Sequence, residues 1–66
     1  MIVATNFMVS YLKGLANLDK FAETIGVSRP TLYKVMDGEP VSNAVMSALI
    51  KESGFDMDKA FQVKQD

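Results

Sequence analysis

Residues 21–38 are expected to form two short helices joined by a tight turn, and they read Phe21-Ala22-Glu23-Thr24-Ile25-Gly26-Val27-Ser28-Arg29-Pro30-Thr31-Leu32-Tyr33-Lys34-Val35-Met36-Asp37-Gly38. The first helix has apolar residues at the i, i+3, i+4, i+7 spacing of one buried face: Leu18, Phe21, Ala22 and Ile25. Gly26 stands where a helix ends by giving one residue a left-handed conformation at little cost. Val27 can then pack back against the helix that precedes it.

The second helix of this stretch has its own start signal, inner face and stop signal. Ser28 is a favourable N-cap because its hydroxyl accepts from an otherwise unsatisfied backbone N–H. Pro30 falls in the first turn, where a missing N–H does no harm. The inner face is predicted to hold Leu32, Val35 and Met36, and the outer face Arg29, Thr31, Tyr33 and Lys34. Gly38 closes the unit as a second C-cap, and the whole pattern is typical of a helix-turn-helix.

The same stretch resembles the Cro/repressor-type (lambda-repressor-like, XRE family) helix-turn-helix transcriptional regulators. The residues that carry the resemblance are Ala22, Gly26-Val27-Ser28-Arg29, Thr31-Leu32, Lys34 and Gly38. It extends from about Asn6 to Phe61 and is most specific in the centre. The chain ends, Met1-Ile2-Val3 and Ala60-Phe61-Gln62-Val63-Lys64, are similar to those of compact members in which short terminal strands pair beside a five-helix body.

Three further helices are predicted around this unit. Thr5 or Asn6 caps the first, whose inner face is Phe7, Met8, Tyr11, Leu12 and Leu15; Gly14 weakens its end. Asn17 caps the second helix of the chain, which is the first helix of the helix-turn-helix. Ser42 caps the fourth, which turns Val45, Met46, Leu49 and Ile50 inward. Gly54 ends that helix, with Phe55 contacting Ile50 in a Schellman-type arrangement. Asp56 starts a last short helix that contains Met57, Ala60 and Phe61.

The chain ends allow two interpretations. Residues 1–4 form either a frayed terminus or a strand that pairs with residues 61–64, whose apolar and polar side chains alternate. We expect the strand, with Ile2 and Val3 opposite Phe61 to Val63. The predicted fold is therefore an all-α, five-helix, lambda-repressor-like domain over residues 1–66 with a short terminal two-stranded β-ribbon.

The composition limits how so short a chain can be stabilised. The 66 residues are 48% hydrophobic and include no cysteine, so disulfides and thiolate metal sites are excluded. A domain of this size buries only about 60% of its unfolded surface. We expect a homodimer in which Phe55, Phe61 and Val63 are the leading candidates for burial between subunits. No apolar run has the length of a membrane span or signal core, so a cytoplasmic location is expected.

Catalysis is not expected. The chain has no His and no Cys, which removes the usual general base, metal ligands and strongest nucleophile. Asp56 and Asp58 diverge on a helix and are better explained as favourable charges at a helix N-terminus. No glycine-rich phosphate loop is present, and the five methionines have the spacing of core residues. No metal or cofactor is predicted.

The outer face of the third helix is the candidate for binding double-stranded DNA. A helix fits the major groove, and the residues at its N-terminal end reach base edges. Arg29 can fork onto guanine O6 and N7, Lys34 can reach a base or a phosphate, and Ser28 at the helix N-terminus suits a phosphate. The resemblance implies base reading by Ser28, Arg29, Pro30 and Lys34 and backbone anchoring by Asn17. Thr31 and Tyr33 complete the predicted DNA-binding set.

The charges favour this face only slightly. Residues 11–38 carry four basic and three acidic side chains, whereas residues 39–66 carry three basic and five acidic ones.

Three features of the sequence depart from the family pattern. Leu18 stands where a phosphate-binding glutamine is common, and Asp37-Gly38-Glu39-Pro40 replaces a loop that is often basic. Tyr11 and Met36 replace a buried Arg–Glu pair, a change that is often neutral for stability. The first two departures remove phosphate contacts. They favour an alternative function, an antitoxin-like or phage-encoded module that binds a protein partner. The main expectation is a homodimeric, sequence-specific transcriptional regulator, in the simplest case a repressor, with residues 28–36 as its recognition helix.

Overall fold

The computed structural model describes residues 1–65, which form five helices and one two-stranded antiparallel sheet. The predicted helix count and the predicted terminal ribbon are both confirmed. The elements in chain order are β1 (Ile2–Ala4), α1 (Asn6–Lys13), α2 (Leu18–Ile25), α3 (Arg29–Met36), α4 (Asn43–Ser53), α5 (Met57–Ala60) and β2 (Phe61–Val63). No helix within residues 1–65 is both long enough and apolar enough to cross a membrane.

The sheet pairs the two ends of the chain, with Ile2 and Val3 opposite residues 61–63 as predicted. Ile2 lies opposite Val63, Val3 opposite Gln62 and Ala4 opposite Phe61. Two backbone bonds extend the pairing beyond the strands, from Lys64 N–H to the Met1 carbonyl and from Thr5 N–H to the Ala60 carbonyl, both 2.9 Å. The outer edge of β1 is also occupied, because Val41 N–H donates to the Ile2 carbonyl at 2.8 Å.

One core joins all seven elements. The five largest side chains in it that are essentially inaccessible to solvent are Met8, Leu12, Leu32, Val35 and Leu49. None of the buried side chains in the described part of the chain is polar or charged. The core therefore depends on apolar burial, as the 48% hydrophobic composition indicates.

Three residues differ from what the sequence predicts. Phe7 is 44% exposed, because its ring lies at the margin of α1 against Phe55, with 4.7 Å between ring centroids. Phe61 is buried but is not helical: its backbone is extended at φ −134° and ψ 154°, so α5 ends at Ala60. Met57, also placed in the last helix, begins α5 and is 50% exposed.

Four side-chain N-caps begin the longer helices. Thr5, Asn17, Ser28 and Ser42 each accept from a backbone N–H three residues later, as predicted, with Thr5 rather than Asn6 as the cap of α1. The end of α4 differs from the predicted Schellman pair. Gly54 N–H makes a single bond to the Ile50 carbonyl, and Phe55 N–H donates to the Ser53 hydroxyl instead. This is the simpler left-handed termination.

Candidate nucleic-acid interface

The turn between α2 and α3 is fixed by hydrogen bonds among near neighbours. Gly26 adopts φ +72°, a left-handed conformation that favours glycine. Its N–H donates to the Glu23 carbonyl at 3.3 Å, and Val27 N–H donates to the Ala22 carbonyl at 3.0 Å. These two bonds are the paired termination of a Schellman motif. The chain therefore leaves α2 in one defined direction.

Ser28 then starts α3 immediately. Its backbone is extended at φ −69° and ψ 152°, and its hydroxyl accepts from Thr31 N–H at 3.4 Å. Pro30 occupies the first turn, as predicted. Leu32 and Val35 are buried on the inner side of the same helix, at 0% and 2% exposure. The outer side of α3 therefore points away from the core.

Most of the predicted binding residues on α3 do lie on that outer side. Tyr33 is 50% exposed, and the other exposed members are Ser28, Arg29, Pro30 and Lys34. Thr31 is the exception, since it is half-buried and its hydroxyl lies 2.7 Å from that of Ser28. It also lines a groove beside Val45 of α4. Thr31 therefore belongs to the cap and to the α3–α4 contact more than to the outer face, which corrects its predicted orientation.

Asn17 lies at the start of α2 and is exposed. Its side-chain oxygen accepts from Lys20 N–H at 3.0 Å. The amide nitrogen of the same side chain is a donor that this cap does not use. Leu18 follows it and is partly buried against the core. This apolar side chain has no hydrogen-bond donor for a phosphate.

Arg29 makes an ion pair that the sequence reasoning missed. Its Nη1 donates to Oδ1 of Asp19 at 2.7 Å, and the two side chains are 54% and 63% exposed. The hydrogen bond to Asp19, followed by the charges of Asp19 and Tyr33, raises the pKa of the Arg29 guanidinium above its ordinary value. The available signal was the placement of opposite charges in the first turns of two successive predicted helices.

The ion pair brings the starts of α2 and α3 together. Asp19 is in the first turn of α2, where the helix dipole favours a negative charge. Arg29 is the first residue of α3, where the dipole disfavours a positive charge. The Asp19 carboxylate offsets that unfavourable placement. The ion pair with Asp19 therefore holds the guanidinium at the outer face, although the dipole of α3 disfavours a positive charge at this position.

The far end of α3 is acidic. Asp37 and Glu39 are exposed just after the helix, and Glu39 N–H donates to the Lys34 carbonyl at 3.1 Å. Tyr11 and Met36 are partly buried against the core. Members of the family that the sequence resembles often have an ion pair at these two positions. The Tyr11 ring packs edge-on against Phe55 at 4.9 Å. At Tyr11, an aromatic contact therefore stands in place of the ion pair.

The described residues offer little for other kinds of chemistry. Within residues 1–65 no group of three or more His, Cys, Asp or Glu side chains has the arrangement of a metal site. An apolar groove of about 410 Å³ lies beside β2, and Asp58 is the one charged residue among the described residues that line it with Met46, Met57, Phe61 and Val63. It lacks convergent charged groups of the kind that orient a small ligand.

No protein-family model, no curated protein and no solved structure shows a significant match to this chain. The assignment of a function therefore depends on the residues and their geometry.

Proposed function

We propose that this protein is a sequence-specific, double-stranded DNA-binding regulator of the lambda-repressor-like helix-turn-helix type. In this proposal α3 lies in the major groove and residues 28–36 form the recognition helix. The observation that carries the proposal is the polar outer face of α3, at the end nearest the capped turn. Ser28 and Arg29 are exposed at that end and Lys34 is exposed in the last turn, on a helix whose opposite side is anchored in the core.

Each residue of this face has a role that suits its chemistry. Arg29 reads a guanine through a forked pair of hydrogen bonds. Lys34, farther along the helix, meets a phosphate, and Tyr33 donates its hydroxyl to another. Pro30 presents an apolar ring of the kind that contacts a thymine methyl group. Ser28 and Asn17 place two helix N-termini next to the DNA backbone, where N–H groups bind phosphate.

The regulator acts as a homodimer in this proposal. Of the three apolar residues expected between subunits, Phe61 is 5% exposed inside its own chain, and Phe55 packs on Tyr11 at 4.9 Å. Val63 is 67% exposed, and Met57 lines the same groove at 50% exposure.

Val63 also lies on a free strand edge. Lys64 N–H bonds across the ribbon to the Met1 carbonyl, and in an antiparallel pair such residues alternate with ones whose N–H and C=O point outward. We therefore place the subunit contact at β2. Two recognition helices would then enter major grooves about 34 Å apart on a near-palindromic site. Occlusion of a promoter is the simplest regulatory outcome.

Oligomeric state is tested by sedimentation. We expect a dimer at micromolar concentration, and we expect Val63→Asp to give a folded monomer because a charge at the contact is not neutralised there. Ser10→Asp adds the same charge at an exposed position of α1 and should leave the dimer intact. A strictly monomeric wild type, with and without DNA, would contradict the homodimer.

DNA reading is tested by titration at several salt concentrations. The duplexes are one enriched from a random pool by the wild type and a scrambled version of it. Arg29→Ala should lose about tenfold to a hundredfold in affinity for the selected duplex and relax the preference at one base position. Lys34→Ala is the matched control for charge. It should weaken both duplexes about equally and flatten the salt slope by about one unit per subunit.

In the same titration, Glu39→Lys is expected to strengthen DNA binding, whereas the two alanine variants weaken it. Because Leu18 and Glu39 stand where phosphate donors are common in the resembled family, the wild-type salt slope should be shallow for a dimer. A lysine at 39 adds a phosphate contact, so binding to both duplexes should strengthen and the slope should steepen. If the wild type prefers no duplex and Arg29→Ala changes nothing, the regulator proposal fails. The alternative, a module that binds a protein partner, then takes its place.

A further inference from the structure

We propose that Asp19 is a specificity-determining residue, which holds the Arg29 guanidinium in position for one base and keeps it from pairing with phosphates. This inference rests on the proposed DNA-binding function. It starts from the 2.7 Å contact between Arg29 Nη1 and Asp19 Oδ1, which joins residues ten positions apart on two helices. Both side chains are more than half exposed, so the pair stands at the surface that would face DNA.

The ion pair leaves Arg29 able to read a base. A guanidinium carries five N–H donors in one rigid plane. Asp19 accepts from Nη1, and a guanine requires only two donors for its O6 and N7. The remaining donors are therefore sufficient for a forked contact. Because the group is planar, fixing one nitrogen restricts the direction in which the others point, which lowers the ordering cost of the base contact.

The same carboxylate acts against phosphate binding. Asp19 is negative and exposed close to the start of α3, so a phosphate that approached Arg29 would meet the carboxylate too. Like charges at such distances repel. A guanine edge presents neutral acceptors and does not suffer this repulsion. Asp19 therefore lowers the affinity of Arg29 for any DNA backbone more than its affinity for the correct base, and specificity is this difference.

The dipoles at the N-termini of α2 and α3 explain why the position of Arg29 depends on Asp19. The first turn of α2 favours the negative charge of Asp19, whereas the first turn of α3 disfavours the positive charge of Arg29. Without Asp19, no ion pair would offset the unfavourable dipole at the start of α3, and the guanidinium would move toward nearby phosphates. From the sequence, Asp19 was only one of the three acidic residues among residues 11–38, and no partner was predicted for it.

The test compares Asp19→Asn with Glu23→Gln. Glu23 is also an exposed acidic residue on α2, and its side chain makes no ion pair within the described residues. Both variants remove one negative charge and nearly preserve side-chain shape. Asp19→Asn should strengthen binding to the scrambled duplex by about twofold to tenfold, and steepen the salt slope by about one unit per subunit as Arg29 turns to phosphate. It should also reduce the preference at the base read by Arg29 by about tenfold.

Glu23→Gln should leave the base preference unchanged within about twofold. Asp19→Glu retains the carboxylate and should retain most of the preference, which separates the charge from the shape of the side chain. Asp19→Ser, with a residue that suits a helix start, is a second neutral variant and should behave as Asp19→Asn does. Thermal unfolding of each variant confirms that the compared proteins are folded.

The outcomes separate the inference from the function on which it rests. If the wild type selects a sequence and both neutral variants at position 19 keep the full preference, the role of Asp19 is wrong and DNA reading stands. If Glu23→Gln lowers the preference as much as Asp19→Asn, the effect is one of general charge and the inference is again wrong. If the wild type selects no sequence, both proposals fall together.

Discussion

The α2–α3 unit and the terminal ribbon are held together in opposite ways. In the α2–α3 unit, capping bonds join residues a few positions apart, as from Lys20 N–H to Asn17 and from Val27 N–H to Ala22. In the ribbon, bonds join the two ends of the chain: Lys64 N–H donates to the Met1 carbonyl across 63 positions at 2.9 Å. The first region is specified by its own sequence, whereas the second forms only when the whole chain has folded.

The two regions also differ in the surfaces that they expose. The α2–α3 unit presents charged and polar side chains, among them Arg29 and Lys34. The ribbon side presents the apolar Val63 and Met57, at 67% and 50% exposure. Exposed cationic side chains suit a polyanion, and an apolar face suits another protein surface. This difference supports the proposal that DNA binds the α2–α3 unit and that a second subunit binds the ribbon.

The largest expected effect comes from Leu32, a residue of α3 in the core that the α2–α3 unit shares with the ribbon. Its side chain is fully buried, so Leu32→Ala should reduce the free energy of unfolding by about 2–5 kcal/mol through lost burial and a cavity. Because a single core serves the whole chain, the ribbon and the α2–α3 unit should lose amide protection together. Tyr33→Ala, at the next and exposed position, should cost far less. Loss of protection in only one region would show that the two are not coupled.

A smaller effect is expected at Thr5, whose hydroxyl joins the start of α1 to α5 beside the ribbon. Its hydroxyl caps α1 by accepting from Met8 N–H and also donates to the Lys59 carbonyl. Thr5→Val keeps the shape but loses both bonds, so chemical denaturation should show a cost of about 2 kcal/mol. Ser42→Ala removes a cap alone and should cost about 1 kcal/mol. Equal costs for the two variants would mean that the long-range bond adds no stability.

The smallest effect is expected at the turn of the α2–α3 unit. Gly26 has a positive φ of 72°, and an added Cβ would meet no atom within 4 Å, so strain in the backbone is the only penalty. Gly26→Ala should therefore cost about 1 kcal/mol. Gly14→Ala is the matched control, because Gly14 has an ordinary φ of −83°. Thermal unfolding that ranks the two variants in the reverse order would contradict this account of the turn.

Sequence reasoning succeeded where structure is local. The caps at Asn17, Ser28 and Ser42 follow from residue type and the next three positions, and so does the left-handed Gly26. The pairing of the chain ends was also predicted, because residues 61–64 alternate in polarity and Met1 to Ala4 are apolar.

The failures share one cause, which is that contacts between separate elements decide them. The Asp19–Arg29 pair depends on the angle between two helices. Phe7 satisfies the helical spacing of α1 but lies beyond the edge of the core, against Phe55. Phe61 was expected both in the last helix and in the strand, and its pairing with Ala4 places it in the strand. A one-dimensional pattern does not contain these distances.

The central claim is that DNA meets the start of α3 and not the ribbon, and backbone amide chemical shifts test it directly. On titration with a duplex selected by the wild type, we predict the largest shifts at residues 28–34 and around Asn17. Shifts at residues 2–4 and 61–63 should be small, or should follow dimer formation without DNA. Shifts centred on the ribbon or on α5, with residues 28–34 unaffected, would contradict the account.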